Sequence, residues 1–230
     1  MLVTIFCGIA TSVIFLALRI YTILPSRSKS GHRSVKQNPN STCSIAVFLG
    51  SGGHTSEMRS LVSTLPFERY QPRTYIYCHG DEMSLRSISN LESGKGTIIN
   101  ESSYNLLPLP RARKVAEPLS STMISASKTL FASLWIMFLF PLLQNPGRPF
   151  ADVLLINGPG TCVVLVLVSW IRRILGLSHT KIIYVESLAR VKSLSLSGKL
   201  VRPFVDKFIV QWPEAGGKGD KAAECKGWLV

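Results

Sequence analysis

The chain has 230 residues and a mass of 25.3 kDa, enough for one self-supporting core with a short appendage. Hydrophobic residues make up 46% and charged residues only 17%, which excludes disorder throughout and suggests contact with lipid. With 26 Lys and Arg against 13 Asp and Glu the formal charge is +13, a surplus that favours phosphates, acidic lipid surfaces or nucleic acid as partners.

Residues 2–18 are apolar apart from small hydroxyl residues and Gly8; Arg19 interrupts the run and residues 20–24 resume it. About 20 apolar residues span a bilayer as a helix, and this stretch reaches that length if Arg19 snorkels to the interface. Arg27, Lys29, Arg33 and Lys36 follow, with no acidic residue before Glu57, which places the following chain in the cytosol. A cleaved secretory signal fits less well, because no basic residue precedes the run and no small-x-small cleavage site follows it. Residues 25–43, rich in Ser, Asn, Pro and basic side chains, read as a linker or as a tether drawn to acidic head groups. The sequons at Asn40 and Asn100 are expected to stay bare on the cytosolic side.

The body, 44–214, alternates short apolar runs with helical patterns. Residues 44–50 (SIAVFLG) form a strand ending in a glycine-rich turn, and Met58, Leu61, Val62 and Leu65 then share one helical face. A second strand is expected at 73–79, a helix at 81–91 and a third strand at 97–99. Residues 107–114, with two prolines and three basic residues, read as a loop, and 120–143 as a long helix. Further strands are expected at 152–156, 181–185 and 207–212, with a strongly apolar helix at 161–175. This alternation predicts an α/β fold: a single Rossmann-like, doubly wound parallel sheet, with ligands at the carboxyl ends of its strands. Residues 130–143 are apolar nearly all round, as suits a core helix or a re-entrant or interfacial segment.

Three strand ends carry candidate chemistry. Gly50-Ser51-Gly52-Gly53-His54 exposes backbone amides at a helix N-terminus, where a phosphate or diphosphate is the natural guest. It is neither a Walker loop, lacking the Lys, nor the dinucleotide fingerprint; the structural alternative is a tight turn needing positive φ. Asn157-Gly158-Pro159-Gly160-Thr161 opens another strand end, with Thr161 placed to cap the next helix; on pattern alone an ordinary strand-to-helix turn is the better explanation. Glu186 follows the 181–185 strand, as a sugar ligand or a base, or equally as a surface or capping carboxylate. The five cysteines lie at no metal-ligand spacing, so neither a zinc site nor a disulfide framework is expected, and a reduced compartment fits.

The set GSGGHTSEM (50–58), LPRARKV (109–115), INGPGTCV (156–163), YVESLARV (184–191) and FIVQWPE (208–214), behind one N-terminal anchor, resembles the membrane-anchoring subunit of the UDP-N-acetylglucosamine transferase that makes dolichol-linked chitobiose. The glycine-rich loop is also similar to that in the N-terminal half of MurG-type glycosyltransferases. The resemblance implies the acceptor lobe of a two-lobed GT-B enzyme, holding GlcNAc-diphosphodolichol at the cytosolic face of the endoplasmic reticulum, with the nuclear envelope as a second location. A separate soluble subunit that binds UDP-GlcNAc is the implied partner, and the complex forms a β1,4 bond with inversion and without a covalent intermediate. It implies diphosphate contacts from Ser51, Gly52 and Gly53, with Arg111 and Arg113 neutralising charge; His54 aligns with the family's proposed base and Glu186 is the other candidate. No cofactor and no metal are implied.

The tail, 215–230, departs from the pattern: 215–226 (AGGKGDKAAECK) looks like linker, and the apolar end survives as Gly227, Trp228, Leu229 and Val230. The resemblance implies that Trp228, Leu229 and Val230 dock on the catalytic subunit. The competing functions are a self-sufficient membrane-bound glycosyltransferase, for which no second lobe is present, and a scaffold. Nucleic-acid binding fits least, because the positive charge is scattered and no recognition motif occurs.

Overall fold

The computed structural model describes residues 1–25, 41–95, 103–112, 118–216 and 223–225, with Gly227 and Leu229. Seven parallel strands form one sheet: β1 (Ile45–Leu49), β2 (Arg73–Cys78), β3 (Tyr104–Leu109), β4 (Val153–Asn157), β5 (Lys181–Val185), β6 (Lys207–Val210) and β7 (Ala223–Cys225). Their order is β3-β2-β1-β4-β5-β6-β7. Val47 of central β1 lies between Tyr75 of β2 and Leu155 of β4. Every residue of β1 is buried, as expected for a parallel strand covered on both faces.

Strand alternation divides the core in two. Val47, Leu49 and Tyr75 face α2 (Gly53–Ser63) and α3 (Glu82–Gly94), meeting Met58, Val62 and Ile88. Phe48, Ile76 and Leu154 face the other way, toward α4 (Leu119–Ser133) and α6 (Thr161–Ile174), meeting Leu165, Val166 and Val168. Four valines give α6 a modest intrinsic helix preference; burial of Val164, Leu165, Val166, Val168 and Trp170 overrides it. Arg73, 1% exposed, grips Glu92 of α3 with bonds of 2.8 and 2.9 Å and ties that helix to β2.

The long helix expected at 120–143 is present as α4, a π-helical turn (Leu134–Leu139) and α5 (Phe140–Gln144). The wide turn precedes Pro141, whose missing N–H cannot continue the α-helical ladder. Met137 is buried, whereas Phe131, Trp135 and Leu143 are 69%, 56% and 76% exposed. The helix is therefore buried along one side only, and its stretch from Ser121 to Gln144 is long and apolar enough to cross a membrane.

At the N-terminus, α1 (Leu2–Ile23) has the same property over Thr4–Ile23, and Ile5, Phe6, Ile9, Val13, Phe15 and Leu18 along it are exposed. Among the described residues its last turns meet the domain: Ile20, Ile23 and Leu24 pack on the α6 side of the core. Arg19, expected to snorkel, has a partner here, its Nε donating to the Ile174 carbonyl (3.3 Å) at the C-terminus of α6, where the helix dipole favours a cation.

Several local expectations change. The strand expected at 97–99 lies outside the described residues. The proline-containing segment read as a loop contributes Leu107, Pro108 and Leu109 to β3, an edge strand, where proline's missing N–H is tolerated. The linker-like tail supplies β7, which pairs Ala223 with Phe208 and carries Glu224 to Lys207 (3.0 Å). A short helix unforeseen in the sequence, α7 (Leu196–Val201), is capped by the Ser195 side chain, which accepts from the Gly198 N–H (2.9 Å).

Candidate functional site

The chain order reverses between β1 and β4, so the loops leaving their carboxyl ends diverge and form a crevice. The two candidate glycine-containing turns are these loops. A Cβ on Gly50 would lie 2.7 Å from Pro159 Cδ and 2.8 Å from His54 Cβ; glycine is what lets the loops meet. Ser51 and Gly52 take φ values of 65° and 55° and turn the chain into α2. The N–H groups of Thr55 and Ser56 bond back to the Gly52 carbonyl. Those of Gly53 and His54, at the very start of α2, have no upstream acceptor within the helix and suit an anion.

His54 is held from the β4 side. Its Nδ1 lies 2.7 Å from Asn157 Oδ1, and Asn157 Nδ2 donates to Glu57 Oε2 (2.6 Å). The other Glu57 oxygen accepts from Ser187 Oγ (2.7 Å) and the Leu188 N–H (3.2 Å). Asn157 is fully buried, while His54 and Glu57 are half-buried. Gly158, at φ 80°, sits where a Cβ would overlap the His54 ring. Sequence reasoning gave Glu57 no role. Its signal was the three-residue spacing from His54, which puts both side chains on one face of α2.

Glu186 is 1% exposed, with its carboxylate fully engaged. Oε1 accepts from the Ser187 N–H (3.2 Å); Oε2 accepts from the Ser195 N–H (3.0 Å) and Oγ (3.1 Å). A surface carboxylate is thereby ruled out: Glu186 braces the segment that starts α7, which is also held by Ser197 donating to the Gly158 carbonyl. Burial, and then the Glu186 charge, push the neighbouring Tyr184 phenol up.

Thr161 was expected to cap α6. The cap is Gly160, and Thr161 Oγ1 instead accepts from the Ala112 N–H (3.4 Å), fastening the loop after β3 to the start of α6. Arg111 lies beside Cys78, whose thiol is pushed up by burial and partly drawn back by that guanidinium. Arg113, Trp228 and Val230 lie outside the described residues. Leu229 is half-buried against the α2 side of the core, and its N–H reaches Gln211 Oε1 (3.4 Å).

A cavity of about 660 Å³ opens between the β1, β4 and β5 ends and α7, within the usual range for small-molecule sites. Gly53, His54, Gly158, Gly160 and Glu186 line it. Arg111 is not in its wall; among the described residues the lining cation is the exposed Arg190, which the sequence motifs did not single out. Leu196 and Leu200 of α7, 75% and 53% exposed, add apolar surface. Among the described residues no group of three or more His, Cys, Asp and Glu gathers as a metal site.

A family profile described as "Oligosaccharide biosynthesis protein Alg14 like" matches residues 45–229. A protein of Cryptococcus neoformans var. neoformans named "UDP-N-acetylglucosamine transferase subunit ALG14" is 61% identical over 203 residues, covering 88% of this chain and 87% of that one. Proteins of the same name from Yarrowia lipolytica and Homo sapiens are each 37% identical; the first alignment covers 100% of both chains, the second 91% of this chain and 90% of the human one.

Proposed function

The chain belongs to the Alg14 family, and on that premise we propose that it is the membrane-anchoring, acceptor-binding subunit of a heteromeric UDP-GlcNAc transferase. Its relatives' name makes it one part of such an enzyme. The reaction is addition of the second GlcNAc to GlcNAc-diphosphodolichol in N-glycan precursor synthesis, at the cytosolic face of the endoplasmic reticulum. A soluble catalytic subunit brings UDP-GlcNAc.

One observation carries the reading: the cavity at the β1–β4 reversal joins a glycine-built helix N-terminus, a half-buried histidine and an apolar rim. Each part of the acceptor has a counterpart. The diphosphate meets the amides of Gly53 and His54 in the turn made by Ser51 and Gly52, with Arg111 and Arg113 contributing positive charge. The sugar occupies the cavity near Glu186, the second candidate for base or sugar ligand. Leu196 and Leu200 face the lipid portion, and α1 keeps the site beside the bilayer. The single parallel sheet of the described residues supports reading this chain as one lobe of a divided transferase.

Chemically, His54 takes the proton from the acceptor hydroxyl as that oxygen attacks C1 of the donor sugar. The C1–O bond to UDP breaks as the new bond forms, with inversion at C1. The test is reconstitution from purified components. The chain alone, given UDP-GlcNAc and GlcNAc-diphosphodolichol, should be inactive, and addition of the soluble partner should restore transfer. Turnover of donor by the isolated chain would overturn the reading in favour of a self-sufficient glycosyltransferase. Full activity of both His54→Ala and Glu186→Ala in assembled complexes would overturn the residue assignment.

A further inference from the structure

We propose that Glu57 is a positioning residue that sets the tautomer of His54 through the side-chain amide of Asn157, keeping Nε2 free to accept a proton. The inference rests on the base role proposed above, and hydrogen-bond polarity carries it step by step. The Leu188 N–H can only donate, so Glu57 Oε1 is held as an acceptor, with Ser187 Oγ donating to the same oxygen. Glu57 Oε2 is likewise an acceptor, so the group of Asn157 that faces it at 2.6 Å is its NH2. The amide is thereby oriented, and its oxygen faces His54 Nδ1 at 2.7 Å. An oxygen there requires a proton on Nδ1, and in the neutral ring the lone pair is then on Nε2. Asn157 is fully buried, so no solvent exchange competes for its amide.

Isosteric substitution reverses the polarity of the chain. In Glu57→Gln the Leu188 N–H and Ser187 hydroxyl hold the glutamine oxygen, which turns its NH2 toward Asn157. The Asn157 amide must flip to present its oxygen, and its NH2 then faces His54 Nδ1. The imidazole proton moves to Nε2, where it blocks the base. Adding Asn157→Asp restores the polarity, because an aspartate accepts from both the glutamine NH2 and the His54 Nδ1–H. The double variant keeps the charge and nearly the shape of the original pair.

The experiment measures 15N shifts of histidine-labelled full chain in detergent, with His54 assigned by its loss in His54→Gln; the chain has four histidines. Wild type should show His54 protonated on Nδ1, E57Q on Nε2, and E57Q/N157D on Nδ1 again. In the complex with its soluble partner, E57Q should lower kcat by roughly 10²-fold or more at nearly unchanged acceptor KM, and the double variant should recover most of it. An E57Q spectrum that keeps the Nδ1 tautomer overturns the proposal. If E57Q does not fold, E57A is read in its place: loss of the Nδ1 tautomer supports the relay and its retention overturns it. A tautomer that switches while turnover stays constant leaves the relay standing and removes His54 as the base.

Discussion

The His54 imidazole lies so close to Gly158 that a single methyl group on that glycine would occupy the space of the ring. Gly158 also holds φ at 80°, so Gly158→Ala carries two penalties at one atom. The left-handed conformation costs about 1–2 kcal/mol for a residue with a Cβ, and the histidine must leave its bond to Asn157. The expected outcome is a modest drop in the urea midpoint with a much larger fall in kcat of the assembled complex. Equal wild-type turnover per folded complex would show that this placement of His54 is not needed for transfer.

Glu186 allows a sharper separation of roles. Its two oxygens face two backbone donors, the N–H groups of Ser187 and Ser195. In Glu186→Gln one of these must point at an NH2, whichever way the amide turns. Facing donors in a buried site should cost about 1–3 kcal/mol, read as a lowered denaturation midpoint. Because α7 forms part of the cavity wall, acceptor KM should rise. If Glu186 braces the wall while His54 is the base, kcat per folded complex should stay within about tenfold of wild type; loss of a base costs about 10²-fold or more.

Most of the sheet was legible because β1, β2, β4, β5 and β6 are compact apolar runs between turn residues, and burial on both faces leaves parallel strands that signature. β3 and β7 escaped for a shared reason. Both are edge strands, half-exposed and paired on one side, so Pro108 and the Ala223–Cys225 triplet carry no apolar pattern. At the site, glycine-rich turns were readable because close approach and positive φ restrict residue type at Gly50, Gly52 and Gly158. Glu57 was not, since its role depends on Asn157 and Leu188, about 100 residues or more away in sequence. Arg111 was legible as a basic residue near a strand end; the sequence did not show that its side chain lies beside Cys78, outside the cavity wall.

His179 predicts a pH dependence away from the site. Its imidazole is held below the usual 6.5, first by burial and then by repulsion from Arg173 and Lys181, against the opposing pull of the Leu177 carbonyl and Asp206. The unfolded chain therefore binds a proton here at a pH where the folded one does not, and stability from this group declines as pH falls below about 6.5. Comparing urea midpoints at pH 7.5 and 5.5, wild type should lose more stability on acidification than His179→Gln. Equal losses would assign the acid sensitivity elsewhere.

The proposed docking of the tail on the soluble subunit can be tested at the C-terminal end. Leu229 packs against the α2-side core and its N–H reaches Gln211 Oε1, and β7 lies along β6 with Glu224 on Lys207. Leu229 and β7 are thus two described points at which the tail meets the domain. A terminus ordered on its own chain loses less entropy on meeting a second protein than a free one does. Deleting 228–230 should leave the chain folded and membrane-bound while the soluble catalytic subunit moves to the supernatant. Leu229→Ala should weaken co-fractionation less, since it removes the tether and keeps Trp228. Undiminished co-fractionation of the deleted chain would place the partner contact on another surface.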